Sequence, residues 1–119
     1  MIIHVTNDAA RSRIKTILLG IQPTKIIAPF GLEGVYKQNA SGAKVICQPG
    51  KLADYRLGNI ELKTNNSVHA KLWLNDTEAV YGSWNFSDSG FIEIAVHTND
   101  PDEVRGFHEM FDAIWRRSP

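Results

Sequence analysis

The segment that decides the fold is Val68-His69-Ala70-Lys71-Leu72-Trp73-Leu74, and Gly82-Ser83-Trp84-Asn85 follows it after a short gap. The first segment alternates polar and apolar residues, which predicts a β-strand. Residues two apart in a strand point to the same face, so His69 and Lys71 are expected side by side, roughly 6.5 Å apart along the strand. A second predicted strand, residues 78–81, leads directly into Gly82.

The ends of these two strands carry residues that suit a phosphate. Lys71 supplies a positive charge, while Ser83 and Asn85 supply directed hydrogen-bond donors. Gly82 allows the backbone to approach a ligand closely. His69 can serve as a nucleophile or as a base. The residues therefore predict a phosphate or oxyanion pocket with a reactive histidine, although a His and a Lys on one strand are also typical of a solvated face.

Six residues at fixed spacing resemble the signature of the phospholipase D superfamily, which is known as the HxKxxxxD motif. They are His69, Lys71, Asp76, Gly82, Ser83 and Asn85. The apolar residues 72–74 and 79–81 match the strands around that motif, and Glu93 stands where the family has an acidic residue. The resemblance covers about residues 59–117. It implies a phospholipase D-like α/β fold, in which a mixed β-sheet is flanked by helices.

The resemblance also implies a role for each residue of the site. His69 is the expected nucleophile, which attacks phosphorus and forms a phosphohistidine. Lys71 and Asn85 are expected to bind the non-bridging phosphate oxygens, with Ser83 assisting. Glu93 is expected to accept a hydrogen bond from the other nitrogen of His69, and so to fix the tautomer and the orientation of the ring.

Two motif residues receive structural roles from the same resemblance. Asp76 is expected to lie away from the reacting phosphate and to tie together the turn after the first strand. Gly82 is expected to shape the backbone beside the site. Neither residue is assigned a part in the chemistry.

The chain carries one copy of the motif, whereas lipid-cleaving members of the superfamily carry two copies in one chain. None of the other three histidines in the sequence is followed by a lysine two positions later. The mechanism needs two histidines, one as nucleophile and one as general acid. The resemblance therefore implies a homodimer with a composite active site across a two-fold axis. It also implies that no metal and no cofactor are needed, because the lysines and a protonated histidine supply the charge.

Three functions from different classes are compatible with these residues. The first is a metal-independent phosphodiesterase that cleaves DNA or RNA, as the small single-motif nucleases of the superfamily do. The second is a phospholipase D-type lipid hydrolase, which shares the chemistry but needs an apolar entry surface. The third is a non-catalytic module that binds nucleic acid. The complete motif favours an enzyme, and the lack of an amphipathic membrane helix in the sequence pattern favours the nuclease.

The composition narrows the class of protein further. A chain of 119 residues predicts a single domain, residues 1–119. The 13 basic and 13 acidic residues cancel to a formal net charge of +0, so any site for a polyanion must be local. The sequence has one cysteine, Cys47, which is expected to be a buried small hydrophobe. No apolar run is long enough to span a membrane and no secretion signal begins the chain, so we expect a cytoplasmic protein.

At several other positions the sequence allows both a binding role and a structural role, and at a few it indicates a structural role alone. Trp84 either stacks on a base or packs under the sheet, and Trp73 either flanks the site or packs. Four scattered cations either contact a nucleic-acid backbone or are solvated: Lys44, Lys51, Arg56 and Lys63. Arg116 and Arg117 suit the C-terminus of a helix through its dipole and need no ligand. That helix is predicted to start at Asp100-Pro101, with Glu103 completing a capping box.

Overall fold

The computed structural model describes residues 1–51, 59–86 and 92–119, and ten helices and strands lie within these ranges. The strands are β1 (Ile2–Val5), β2 (Lys25–Ile27), β3 (Lys44–Cys47), β4 (Glu61–Thr64), β5 (Lys71–Leu74), β6 (Ala79–Gly82) and β7 (Glu93–Thr98). The helices are α1 (Asp8–Leu19), α2 (Gly34–Asn39) and α3 (Pro101–Arg117). The α/β class predicted from the sequence is therefore confirmed.

The seven strands form one mixed sheet in the order β1-β7-β6-β5-β2-β3-β4. The strands β2, β3 and β4 are parallel to one another, whereas the neighbouring pairs β2–β5, β5–β6, β6–β7 and β7–β1 are antiparallel. These directions bring the C-terminal ends of β2, β3, β4 and β6 to the same edge as the N-terminal ends of β5 and β7. We call this the upper edge of the sheet.

Helices cover both faces of the sheet. On one face, Ile14 and Leu18 of α1 and Tyr36 of α2 pack in a core that includes Trp73. On the other face, α3 buries Val104 and Phe111 against residues of β2, β3, β5 and β6. Since successive residues of a strand point to opposite faces, a central strand between two helical layers has to be apolar on both sides. This explains why all four residues of β5 are buried.

The N-terminus of α3 follows the predicted pattern with one difference. Asp100 is the N-cap, and its side chain accepts a hydrogen bond of 2.9 Å from the backbone N–H of Glu103. Pro101 occupies the first turn. The return half of the capping box is replaced, because the N–H of Asp100 donates to the hydroxyl of Thr98 at 3.2 Å. The helix start is therefore fixed from the end of β7.

The element boundaries differ modestly from those that the sequence predicts. The alternating residues 59–63 predict a strand, and the strand found there, β4, runs from Glu61 to Thr64. The glycine-containing residues 31–42 predict a loop or a short helix, and they contain α2. The sequence also predicts one helical turn over 51–56 and a last strand that starts at Phe91. Residues 52–56 of that turn and Phe91 lie outside the described residues. In the described part of the chain, no helix combines the length and the apolar character needed to cross a bilayer.

Candidate active site

His69 and Lys71 meet at the upper edge of the sheet. Lys71 is the first residue of β5, and His69 is exposed just before the strand begins. The ammonium nitrogen of Lys71 lies 3.3 Å from Nδ1 of His69. A lysine ammonium has donors only, so Nδ1 of His69 is the acceptor in this contact. The predicted pairing of these two side chains is therefore present in the structure.

Lys71 is buried over most of its surface, although it lies at the end of the sheet. The residue is only 5% exposed. Burial lowers the pKa of Lys71, and the carboxylate of Glu93 acts in the opposite direction by raising it. No carboxylate forms a direct ion pair with this ammonium among the residues that the structure describes. The cation is thus held in a site that favours an incoming anion.

Phe30 is a residue of the site that sequence reasoning missed. Its ring lies edge-on to the His69 ring with centroids 5.5 Å apart, and the Lys71 ammonium lies 5.3 Å from the centroid of the Phe30 ring. Phe30 follows β2, and β2 pairs with β5, so the fold brings together residues that are far apart in sequence. The phenylalanine restricts the imidazole on one side and shields the ammonium.

Gly82 allows β6 to pass closely between its neighbours. It lies opposite Lys71 on β5 and opposite Ala95 on β7. Its φ is +154°, and a Cβ at this position would come within 2.2 Å of the carbonyl oxygen of Ile94. Only glycine fits this backbone without a shift of β7. Steric crowding by β7 therefore explains why this position of the motif is a glycine.

Ser83 and Glu93 form a hydrogen-bonded pair beside Lys71. The Ser83 hydroxyl donates to Oε2 of Glu93 at 2.5 Å, and the backbone N–H of Ile94 donates to the Ser83 oxygen at 3.1 Å. The backbone N–H of Ser83 also donates to the Ile94 carbonyl at 3.1 Å. Extended pairing of β6 with β7 thus fixes the serine. The hydrogen bond expected between Glu93 and His69 is not formed in the described part of the chain, since the carboxylate is engaged by Ser83.

Asn85 lies three residues beyond Gly82 and is half-buried. Its side-chain oxygen is buried, and among the described residues it has no hydrogen-bond partner. Such a group is costly to bury, which is typical of a position that a ligand or a water completes. The structure shows no contact of Asn85 with His69 or Lys71 within the described residues.

Asp76 lies at the opposite end of β5 from His69. It is exposed in the β5–β6 turn, and β5 alone places about 10 Å between Lys71 at its start and Leu74 at its end. The neighbouring Asn75 holds that turn, because its side-chain oxygen accepts the backbone N–H groups of Thr77 and Glu78 at 2.9 Å each. Among the described residues, the side-chain hydrogen bonds that close the turn thus come from Asn75.

The remaining candidate residues have structural positions. Trp73 and Trp84 are buried, at 0% and 3% exposure, so both pack in the core. Cys47 is buried as expected. The ammonium groups of Lys44 and Lys63 lie 5.3 Å and 4.9 Å from the ring centroid of Trp115. Arg56 lies outside the described residues.

A groove opens beside His69 on the α3 side of the upper edge. It has a volume of about 550 Å³ and runs between the segment before β5 and the C-terminal half of α3. His69 and Ser67 line one wall, and Ile114 and Arg117 line the other. Within the described ranges, nowhere do three His, Cys, Asp or Glu side chains gather as a bound metal ion requires. The site thus combines a reactive histidine, a buried cation and an adjacent groove.

The seven-stranded mixed sheet, with the motif residues of β5, β6 and β7 at one edge, is a phospholipase D-like fold. The sequence matches no family model, and no curated protein matches it either. Solved structures do match. The chain is similar to NucT from Helicobacter pylori, with a TM-score of 0.80 and 10% identity, over 99% of this chain and 96% of that one.

The chain is also similar to TrmBL2, whose structure is described as that of an archaeal chromatin protein with a novel mode of DNA binding. The TM-score is 0.64 and the identity 14%, and the match covers all of this chain and 54% of TrmBL2. This chain therefore spans about half the length of TrmBL2. At these identities, both likenesses concern the fold, and they confirm the phospholipase D-like fold that the motif predicts.

Proposed function

We propose that this protein is a metal-independent phosphodiesterase that hydrolyses nucleic acid through a phosphohistidine intermediate on His69. One observation carries the proposal: the ammonium of Lys71, a largely buried residue, contacts the ring of the exposed His69 at the upper edge of the sheet. A buried cation without a direct carboxylate partner in the described structure is suited to a phosphate diester. The adjacent histidine is suited to attack that phosphate.

The proposed reaction begins with the hydrogen bond between the Lys71 ammonium and the His69 ring. A bound phosphate oxygen takes the hydrogen bond of the Lys71 ammonium, and this frees the lone pair on the ring of His69. The nitrogen–phosphorus bond then forms while the bond from phosphorus to the leaving oxygen breaks. The side-chain amide of Asn85 assists by donating to a non-bridging oxygen. Ser83 assists after its single hydroxyl proton turns from Glu93 to the phosphate. Water hydrolyses the phosphohistidine in a second step and regenerates the ring.

The leaving oxygen needs a proton, and the described part of one protomer offers no second histidine at this site. We therefore propose a homodimer in which the partner subunit's His69 is the general acid, and then takes a proton from water in the second step. Two exposed apolar side chains at the upper edge support a buried contact there. Phe30 is 40% exposed and Ile92 is 79% exposed, and they flank the motif strands β5 and β6.

One of the similar structures supports a nucleic acid as the substrate. TrmBL2 is described as binding DNA, and its fold is shared along the whole of this chain. A polymer of phosphodiesters also suits an open groove that continues from the reactive histidine. We therefore favour DNA or RNA over a lipid as the substrate.

The test is cleavage of labelled single- and double-stranded DNA and RNA in excess EDTA, comparing the wild type with His69→Ala. The wild type is expected to cleave at least one of these substrates without divalent metal. His69→Ala is expected to lose turnover by 10³-fold or more, on the order of the loss seen when a nucleophile is removed. Because His69 is exposed, circular dichroism is expected to be unchanged.

Each alternative function gives a different result in the same experiment. Retained cleavage by His69→Ala contradicts the histidine mechanism. Release of head groups from phospholipid vesicles, with no cleavage of any oligonucleotide, establishes the lipid hydrolase instead. A shifted oligonucleotide band with no cleavage of either substrate class establishes the non-catalytic binding module.

A further inference from the structure

We infer that the groove beside His69 is a substrate subsite in which Arg117 binds the phosphate next to the one being cleaved. This inference rests on the proposed function and adds a specificity residue to it. Arg117 is the last residue of α3 and lines the same groove as His69. A nucleic-acid strand that places one phosphate at His69 extends its next nucleotide into this groove.

The guanidinium of Arg117 is positioned and available. Its Nε donates to the carbonyl oxygen of Ala113 at 3.3 Å, which orients the group from within the helix. Arg117 is exposed, and no acidic side chain pairs with it in the described part of the chain. The terminal nitrogens thus remain for a phosphate, which a guanidinium can bind with two parallel hydrogen bonds.

The two walls of the groove are tied to each other. The side-chain amide of Asn65 donates to the Ser118 hydroxyl at 3.2 Å, and that hydroxyl donates to the Ile114 carbonyl at 2.7 Å. The segment before β5 is held in turn by Gln48, whose side chain donates to the Val68 carbonyl at 3.0 Å. These hydrogen bonds link the C-terminal end of α3, which carries Arg117, to the segment that carries His69, and a subsite requires such a link.

The lining of the groove suits a nucleotide. The wall formed by α3 includes the apolar side chains of Met110 and Ile114, which can contact a sugar or base, and the opposite wall includes the polar Asn65 and Ser67. Among the described residues that line it, none is acidic. A second depression of about 270 Å³ shares Asn65, Ser67 and Arg117 with the first, so the track continues past the arginine. In a protein of zero net charge, this is a local path for a polyanion.

The neighbouring arginine provides a matched control. Arg116 has the same charge and is exposed on the same helical turn, but it does not line the groove. Arg116→Ala and Arg117→Ala therefore remove the same net charge from positions one residue apart. A general electrostatic effect would be equal in the two variants, whereas a subsite affects only Arg117.

The experiment compares two substrates of different size. The first is a labelled single-stranded oligonucleotide, and the second is bis(p-nitrophenyl) phosphate, a diester that has no neighbouring phosphate. We expect Arg117→Ala to lower kcat/KM for the oligonucleotide by about tenfold, the value of one charge-assisted contact, and to leave the small diester unchanged. The slope of log kcat/KM against log salt should become shallower by about 0.7.

Binding provides a readout that does not depend on turnover. Anisotropy of the labelled oligonucleotide should show the same selective loss of affinity in Arg117→Ala, with Arg116→Ala close to the wild type. Equal losses in the two variants overturn the subsite, as does an equal loss on the small diester. If Arg117 governs binding but nothing is cleaved in EDTA, the subsite stands and the proposed function fails. If the oligonucleotide is cleaved in EDTA with the same kcat/KM by Arg117→Ala as by the wild type, the proposed function stands and the subsite fails.

Discussion

Gly82 is the residue on which the local backbone of the site depends. It brings β6 close enough to β7 for the Ser83 backbone to pair with Ile94, and this pairing sets the serine hydroxyl against Glu93. Its place opposite Lys71 also keeps side-chain bulk away from the buried ammonium. A side chain added at position 82 would therefore disturb both the Ser83–Glu93 pair and Lys71.

We expect Gly82→Ala to destabilise the fold by about 2 kcal/mol or more, because the added Cβ would lie 2.2 Å from the Ile94 carbonyl oxygen. Gly106→Ala is the matched control. Gly106 lies inside α3, where a Cβ would meet nothing within 4 Å, so alanine should stabilise by roughly 0.5–1 kcal/mol. Urea unfolding of both variants measures the difference. A Gly82→Ala protein as stable as the wild type would contradict the close approach of β6 and β7.

At the scale of elements, the attachment of α3 to the sheet positions one wall of the groove. Lys25 of β2 joins the two elements, because its ammonium lies 2.9 Å from Asp112 and 2.8 Å from Nδ1 of His108. His108 in turn contacts the carbonyl oxygen of Asn75 through Nε2 at 2.9 Å. The helix is thus anchored by a polar cluster at the lower end of the sheet as well as by its apolar stripe.

The hydrogen bond from Lys25 lowers the pKa of Asp112 below its usual range, against a smaller opposing effect of burial. A carboxylate whose pKa is lower in the folded state stabilises the fold above its unfolded pKa, and this contribution is lost as the pH falls through the folded value. Asp112→Asn should therefore lower the free energy of unfolding by less than about 1 kcal/mol at neutral pH, since the pair is partly exposed. At strongly acidic pH the substitution should leave that free energy unchanged.

The measurement is urea unfolding of Asp112→Asn at neutral pH and at a pH below the pKa of Asp112 in the folded protein. Glu109→Gln on the same helix is the control, because Glu109 is exposed and makes no ion pair within the described structure. The control should show no difference at either pH. A cost of Asp112→Asn that stays the same at acidic pH would contradict the ion pair as its source.

The elements differ in how far the sequence predicts them. The start of α3 was predictable because Asp100 and Pro101 are local signals of a helix N-terminus. The motif made the convergence of β5 with Ser83 predictable. The strand order was not, because the pairing of β2 with β5 joins residues far apart in sequence, such as Ile26 and Trp73, which are 47 positions apart. Phe30 was missed for the same reason, since nothing in its local sequence connects it with His69.

At the scale of the whole molecule, the site described here contains half of what the proposed chemistry needs. One protomer offers one His69 and one Lys71, and the exposed Phe30 and Ile92 lie beside them. A dimer that faces two upper edges toward each other covers these apolar side chains and supplies the second histidine. The neutral net charge of the chain does not oppose such an association.

The most direct test of this shared site is to mix wild-type protein with His69→Ala at constant total concentration. Subunits are exchanged by unfolding and refolding the mixture, and cleavage is then measured in EDTA. If each phosphate requires two copies of His69, only dimers of two wild-type subunits are active, and an equal mixture retains about a quarter of the wild-type activity. If each protomer acts with its own histidine alone, the equal mixture retains about a half, and that result would contradict the composite active site.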